Sequence, residues 1–326
     1  MRAIKRRCLV RILCVGMYLA AVLSQTPATA QELIKIKMGR LGFPSLSSVL
    51  LDVVAAKGLD KKNGIDMELT SFGAVSAYYA AIATGEVEML TGGPHVFQKM
   101  MLEGVPIKIG LTWARLSALA VITGDASIKN LADLKGKSLA ADMGSSEYQI
   151  LAIYARNQGL VFTKDISIVQ AGPPLARSQL QASRVEAAMF WEPTTTLTLR
   201  DNPQYRIILS GDEAWKAVAN AAGWELVLAM REDFLKRSPA AVPRIMKMLQ
   251  EAQQFIRANT DDADEIVVNS VKLPKGVLKE GVSAGRVIFE ILPAWEGERP
   301  VLENMLKIAV DTGYLPKLPG DPIYKP

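Results

Sequence analysis

The hydrophobic pattern of this chain alternates between the two-residue period of a strand and the 3.6-residue period of a helix. Ile34, Ile36 and Met38 alternate with Lys35 and Lys37, which predicts a strand at an exposed sheet edge. Leu46, Val49, Leu50 and Val53 then recur at helical spacing, and Gly58 ends that helix. Short strands are predicted at 66–69, 87–90 and 107–111, with helices at 76–84 and 97–102 between them. The run Ala118-Leu119-Ala120-Val121-Ile122-Thr123 predicts a further strand. Strands and helices alternating across short glycine turns predict mostly parallel sheets covered by helices.

After Thr123 the texture changes. Residues 128–137 are polar, and a second α/β alternation of domain size follows. Its strands are predicted at 139–141, 166–169, 187–190 and 206–209, and its helices at 146–158 and 175–182. Residues 224–230 are again strand-like. The remainder is helical in pattern: 239–259 carries Val242, Ile245, Met246, Leu249 and Phe255 on one side, with Pro239 near its first turn. The tail from Leu315 is proline-rich and is predicted to be extended.

The first thirty residues stand outside this alternation. Arg2, Lys5, Arg6 and Arg7 form a basic start, an apolar run follows, and Ala28-Thr29-Ala30 supplies small residues before Gln31. This is the pattern of a secretory signal peptide cleaved after Ala30. Its removal changes two summary properties. Five of the 38 basic residues leave with it, so 33 remain against 33 acidic ones. The basic balance of the whole chain therefore gives no support for nucleic-acid or membrane-surface binding. Both cysteines, Cys8 and Cys14, leave too, which excludes disulfides, thiol catalysis and cysteine-based metal sites from the mature protein.

The stretch around which the rest is organised is Leu139-Ala140-Ala141-Asp142-Met143-Gly144-Ser145-Ser146-Glu147. It reads as a strand, a Gly-Ser-Ser turn and a helix start. Ser146 and Gln149 have capping-box spacing, so Ser146 is the expected N-cap. Backbone N–H groups at such a start, with the helix dipole, form a seat for a small anion or a polar ligand tip. The alternative is an ordinary βα turn satisfied by its own serine.

Several phrases of the chain, taken in order, resemble a known family. They are Ala56-Lys57-Gly58-Leu59-Asp60-Lys61-Lys62-Asn63-Gly64-Ile65-Asp66, Ala83-Thr84-Gly85-Glu86-Val87-Glu88-Met89 and Leu131-Ala132-Asp133-Leu134-Lys135-Gly136-Lys137, with Gly144-Ser145-Ser146 and Trp191-Glu192-Pro193. They resemble the periplasmic solute-binding proteins of bacterial ABC importers, in the group handling sulfonates, taurine, nitrate and thiamine-precursor pyrimidines. The resemblance implies an α/β, two-lobed periplasmic-binding-protein (type II) fold. Its two sheets are flanked by helices, a ligand cleft lies between the lobes, and two crossing strands form the hinge. The expected divisions are a signal peptide at 1–30, a discontinuous first lobe at 31–118 and 229–326, hinge strands at 119–123 and 224–228, and a second lobe at 124–223. The implied partners are a small-molecule ligand and an ABC permease with its ATPase. The protein is expected to be a periplasmic monomer with no cofactor.

Ligands of open α/β sheets sit beyond the carboxyl ends of strands, which selects the loops Gly42-Phe43-Pro44-Ser45, Gly73-Ala74 and Thr91-Gly92-Gly93-Pro94. Phe43 would stack on a ligand or pack in the lobe core. Gly73 and Ala74 would admit close backbone approach or simply turn the chain. In the second lobe, Gly144, Ser145, Ser146 and Trp191 are expected to line the cleft. Glu192 would accept from a ligand N–H or stand solvated before the next helix. Arg115 would pair with a sulfonate or carboxylate, or lie on the surface. His95, the one histidine, is a ligand donor or a turn residue.

One histidine and no mature cysteine assemble no triad or multi-histidine metal site. The expected activity is therefore capture of a small organic anion, such as a sulfonate or aromatic acid, or of a heterocycle, without turnover. The alternative is a fold-related enzyme acting on a pyrimidine or menaquinone precursor.

Overall fold

Ile34–Leu41 (β1) is not an edge strand. It pairs in parallel with Ile65–Phe72 (β2) along its whole length and meets Met89–Gly92 (β3) through Met38 on its other side. The alternation of Lys35 and Lys37 with apolar residues reports one wet face, since both lysines are exposed. A wet face says nothing about whether the strand's hydrogen-bonding edges are paired. The structure, a computed structural model, describes residues 33–326; the leader expected at 1–30 lies outside them.

Two five-stranded sheets organise the described residues. The first has the order β2-β1-β3-β10-β4, where β4 is Ile107–Arg115 and β10 is Trp224–Arg231. The second has the order β7-β6-β8-β5-β9, built from Ala120–Thr123 (β5), Ser138–Ala141 (β6), Ser167–Gln170 (β7), Ala187–Phe190 (β8) and Arg206–Ser210 (β9). Each sheet is parallel but for one strand: β10 runs antiparallel to β3 and β4, and β5 antiparallel to β8 and β9. Those two odd strands are the first that the chain enters after leaving the other sheet. The stretches expected as crossings, 119–123 and 224–228, lie almost wholly inside β5 and β10. The chain changes sheet through the 3-10 turn Leu116–Ala118 on the way out and through the helix Gly211–Ala219 on the way back.

Helices cover both sheets, as the period of the apolar residues requires. Gly85 closes Val75–Thr84 in a left-handed conformation with φ of 82°, which a side chain would strain. The helix expected at 239–259 spans Ala241–Ala258, and Pro239 falls in the turn before it. The tail folds back on β4: Ile109 N–H donates to Pro322 O at 2.9 Å, and Tyr324 N–H donates to Ile109 O at 2.9 Å. This covers the open edge of the first sheet.

One buried apolar cluster runs from the first sheet to the second without a break, joining Leu41, Tyr78, Leu90, Phe97, Leu116, Leu119, Trp191, Trp215 and Trp224. Separate clusters fill the far face of each sheet. Residues Ile34–Pro326 accordingly pack as one unit.

Candidate functional site

The strand ends that face the second sheet are β1 and β3, and those that face the first are β6 and β8. Each leads into a helix. After β1, Ser45 precedes the helix Leu46–Ala56; after β3, Gly93 precedes Pro94–Leu102; after β6, Ser145 precedes Ser146–Asn157. The cap of this last helix is Ser145, whose Oγ accepts from Tyr148 N–H at 3.1 Å. The expectation of Ser146 is corrected by one residue: Ser145 N–H already closes a turn on Asp142 O at 3.0 Å, so the extended cap residue is Ser145.

That shift frees Ser146 to reach across the junction. Its Oγ accepts from Gly93 N–H at 2.6 Å and shares a 3.0 Å hydrogen bond with Tyr79 Oη. Gly93 has to be glycine for this approach, because a Cβ there would stand 2.6 Å from Ser146 Cβ. Gly92 is constrained likewise by Tyr79 and Phe97, at 2.7 and 2.8 Å.

A cavity lies beside this contact. Ser45, Ser47, Tyr78, Thr91 and Glu225 line it from the first sheet, and Ser145, Ser146, Glu147 and Trp191 from the second. Its volume is about 30 Å³, room for a water or two. The two halves are thus shut on each other, and an organic guest would enter only after they part. Tyr79 also borders an outer hollow of about 300 Å³ that includes Met143, Gly144 and Gln149, so it stands between the cavity and the surface. Two further hollows, of about 440 and 290 Å³, are lined by residues of the first half alone and bridge nothing.

The polar groups of the cavity are ordered by local bonds. Tyr78 Oη accepts from Thr91 N–H at 2.9 Å and pairs with Thr91 Oγ1 at 3.0 Å. Burial pushes the phenols of Tyr78 and Tyr79 above their ordinary range, so both stay neutral. Ser45 Oγ pairs with Ser47 Oγ at 2.7 Å at the start of its helix.

Two glutamates differ from this picture. Glu225 is 1% exposed, and neither of its carboxylate oxygens has a basic or hydroxyl donor. Glu147, also buried, faces it from the second half. Burial raises the pKa of both; the contact between them favours a proton on Glu225, whose ionisation the charges of Glu147, Glu192 and Asp212 also oppose.

The residues expected from the sequence separate into two groups. Ser145, Ser146 and Trp191 line the cavity, and Gly92 and Gly93 support its wall. Gly42, Gly73, Ala74 and Gly144 are exposed outside it, and Phe43 and Pro44 are half-buried, Phe43 against the core. Pro94 is buried at the first turn of its helix. Arg115 does not reach the cavity: its guanidinium bonds Glu290 at 2.6 Å and lies 3.5 Å over the Trp224 ring. Glu192 is not solvated and not free for a ligand. It accepts from Arg286 Nε at 2.6 Å and from Thr196 Oγ1 at 2.8 Å, an ion pair joining the two halves. His95 lies in the core, its Nε2 bonded to Met305 O at 2.9 Å, and burial lowers its pKa to about 4.

Sequence reasoning passed over Ser47, Tyr78, Tyr79, Glu147 and Glu225. The signal for Glu225 was present: it is the one charge in the apolar run Trp224-Glu225-Leu226-Val227-Leu228-Ala229-Met230. A lone acid in a buried strand calls for a partner or a function.

Comparison with known proteins agrees with this architecture. A protein of Brucella abortus named as a binding protein is 22% identical over 249 residues, covering 72% of this chain and 71% of that one. A protein of Bacillus subtilis named as an aliphatic sulfonates-binding protein is 25% identical over 264 residues, 79% of this chain and 77% of that one. Among solved structures, the periplasmic aliphatic sulphonate binding protein SsuA from Escherichia coli superposes with a TM-score of 0.72 at 19% identity, covering 90% of this chain and 92% of that one. The alkanesulfonate-binding protein SsuA from Xanthomonas axonopodis, bound to MOPS, superposes with a TM-score of 0.73 at 17% identity, covering 90% and 99%. Residues 50–263 match the family described as NMT1/THI5 like. A two-sheet α/β architecture, a junction lined from both halves and this match agree on one assignment: the chain belongs to the NMT1/THI5-like family.

Proposed function

We propose that this protein is the solute-binding component of an ABC importer, exported to the periplasm after cleavage at Ala30, which captures a small organic molecule and presents it to a membrane permease. The single observation that carries this reading is the cavity between the two sheets, walled by Ser45, Tyr78, Thr91 and Glu225 on one side and Ser145, Glu147 and Trp191 on the other. A site divided between two halves can report its own occupancy, because ligand stabilises only the arrangement in which both walls touch it.

The lobes of this reading are 31–118 with 229–326, and 124–223, with 119–123 and 224–228 between them as the hinge. The groups around the cavity are hydroxyls, phenols, carboxylates and an indole. Preorganised donors and acceptors of this kind orient a ligand rather than break its bonds. Tyr79 and the Gly93–Ser146 bond form the seam that opens for entry.

A thermal-shift titration of the exported protein against sulfonates, aromatic acids, nitrate, amines and pyrimidines tests the reading. A ligand at 100 times its Kd raises stability by about 2.7 kcal/mol, a clear rise in melting temperature. The product pool should contain only unchanged ligand. Turnover of the hit, or a hit unaffected by Trp191→Phe, would refute capture at this junction.

A further inference from the structure

Resting on the interlobe site proposed above, we infer that its ligand carries a positively charged N–H group, an ammonium or amidinium, which lies between Glu147 and Glu225 and ties the two halves together.

Glu225, the second residue of β10, is buried with its side chain on the cavity; neither oxygen has a basic or hydroxyl donor, and the group within hydrogen-bonding reach is another carboxyl, that of Glu147. A carboxylate in such a place costs several kcal/mol unless it is protonated or met by a cation. Glu147 faces the same cavity from the first turn of Ser146–Asn157, on the other half. Closing the protein therefore brings two carboxylates out of water and toward each other. A cation between them removes the repulsion and satisfies the free oxygens together.

Among the described residues, the side chains lining the cavity include no lysine or arginine. The nearby guanidiniums already have partners: Arg286 is bonded to Glu192, and Arg115 to Glu290. The remaining ionisable groups that act on the pair are Asp142, Glu192 and Asp212, all acids, and Tyr79, held neutral by burial. The field at the cavity thus favours a cation. A purely anionic guest would meet two carboxylates and no basic side chain.

The rest of the lining, on both walls, offers acceptors and donors that suit the remainder of such a molecule. The hydroxyls of Ser45, Ser47 and Ser145 stand at two helix starts, and Trp191 supplies an apolar face. A zwitterion or an aminated heterocycle meets this combination. Both share the cationic N–H donor that the glutamates require.

The test is titration calorimetry and thermal shift of the exported protein with probes matched in skeleton: taurine against ethanesulfonate, and benzamidine against benzoate, within a wider panel of amines, amidiniums, carboxylates and sulfonates. The expected result is binding confined to probes with a charged N–H group. Glu225→Gln should weaken it by a factor on the order of 30 or more, with the variant still folded. Glu147→Gln gives the same reading if Glu225→Gln fails to fold. Binding of an anion that Trp191→Phe weakens and that neither glutamine variant alters would overturn this inference and leave capture at the junction standing. Failure of every cationic probe overturns it as well, and a melting temperature unmoved by any probe of either sign counts against both readings.

Discussion

Gly93 N–H donates to Ser146 Oγ at 2.6 Å, a hydrogen bond from the end of β3 in the first sheet to the first turn of a helix on the second. A Cβ on Gly93 would lie 2.6 Å from Ser146 Cβ and 3.3 Å from its Cα, so part of the obstruction is backbone and cannot rotate away. Gly93→Ala should therefore hold the halves apart while leaving each sheet intact. The expected outcome is a larger radius of gyration by small-angle scattering and ligand affinity weakened on the order of tenfold, with little change in melting temperature. An unchanged radius together with unchanged affinity would show that this contact does not limit closure.

The pair of Arg286 and Glu192 joins the halves by a different device. Glu192 is fully buried, so removing its cation leaves an uncompensated charge inside the protein. Arg286→Met should cost about 3 kcal/mol of unfolding free energy, measured by urea denaturation. Arg286→Met combined with Glu192→Met should recover most of that loss, because no buried charge is left over.

His95 sets an acid limb on stability. Its folded pKa is lowered to about 4 by burial, so the native state binds fewer protons than the unfolded chain between that value and 6.5. Stability from this group is complete above about pH 6.5 and is lost as the pH falls toward 4, roughly 3 kcal/mol in all. His95→Gln, which retains a donor for Met305 O, should flatten the fall. Denaturation curves of both proteins across this range measure the difference.

Glu225 acts in the opposite sense. Its folded pKa is raised, so the native ligand-free protein binds more protons than the unfolded chain above the ordinary carboxylate range. Stability present at low pH is then lost as the pH rises through the folded pKa. Glu225→Gln should reduce this loss and be at least as stable as the parent near neutral pH. A variant that follows the parent's pH profile above about pH 5 would remove Glu225 as its source.

The sequence by itself determined the alternation of strands and helices, because apolar periodicity and glycine stops act over a few residues. The segment Val75–Thr84 with Gly85 shows how closely such signals fix an element. Ser145, Ser146 and Trp191, which the structure places on the cavity, follow strand ends, but it was the family resemblance that singled them out in the sequence. Only the tertiary structure decided which charges are free. Arg115 and Glu192 look available in the sequence, yet their partners Glu290 and Arg286 lie 175 and 94 residues away. Glu147 and Glu225 look like an ordinary helix-start acid and an oddity in a strand until folding places them on opposite walls of one cavity. Periodicity is local and can be read along the chain, whereas pairing and desolvation of charge depend on neighbours that only the closed fold supplies.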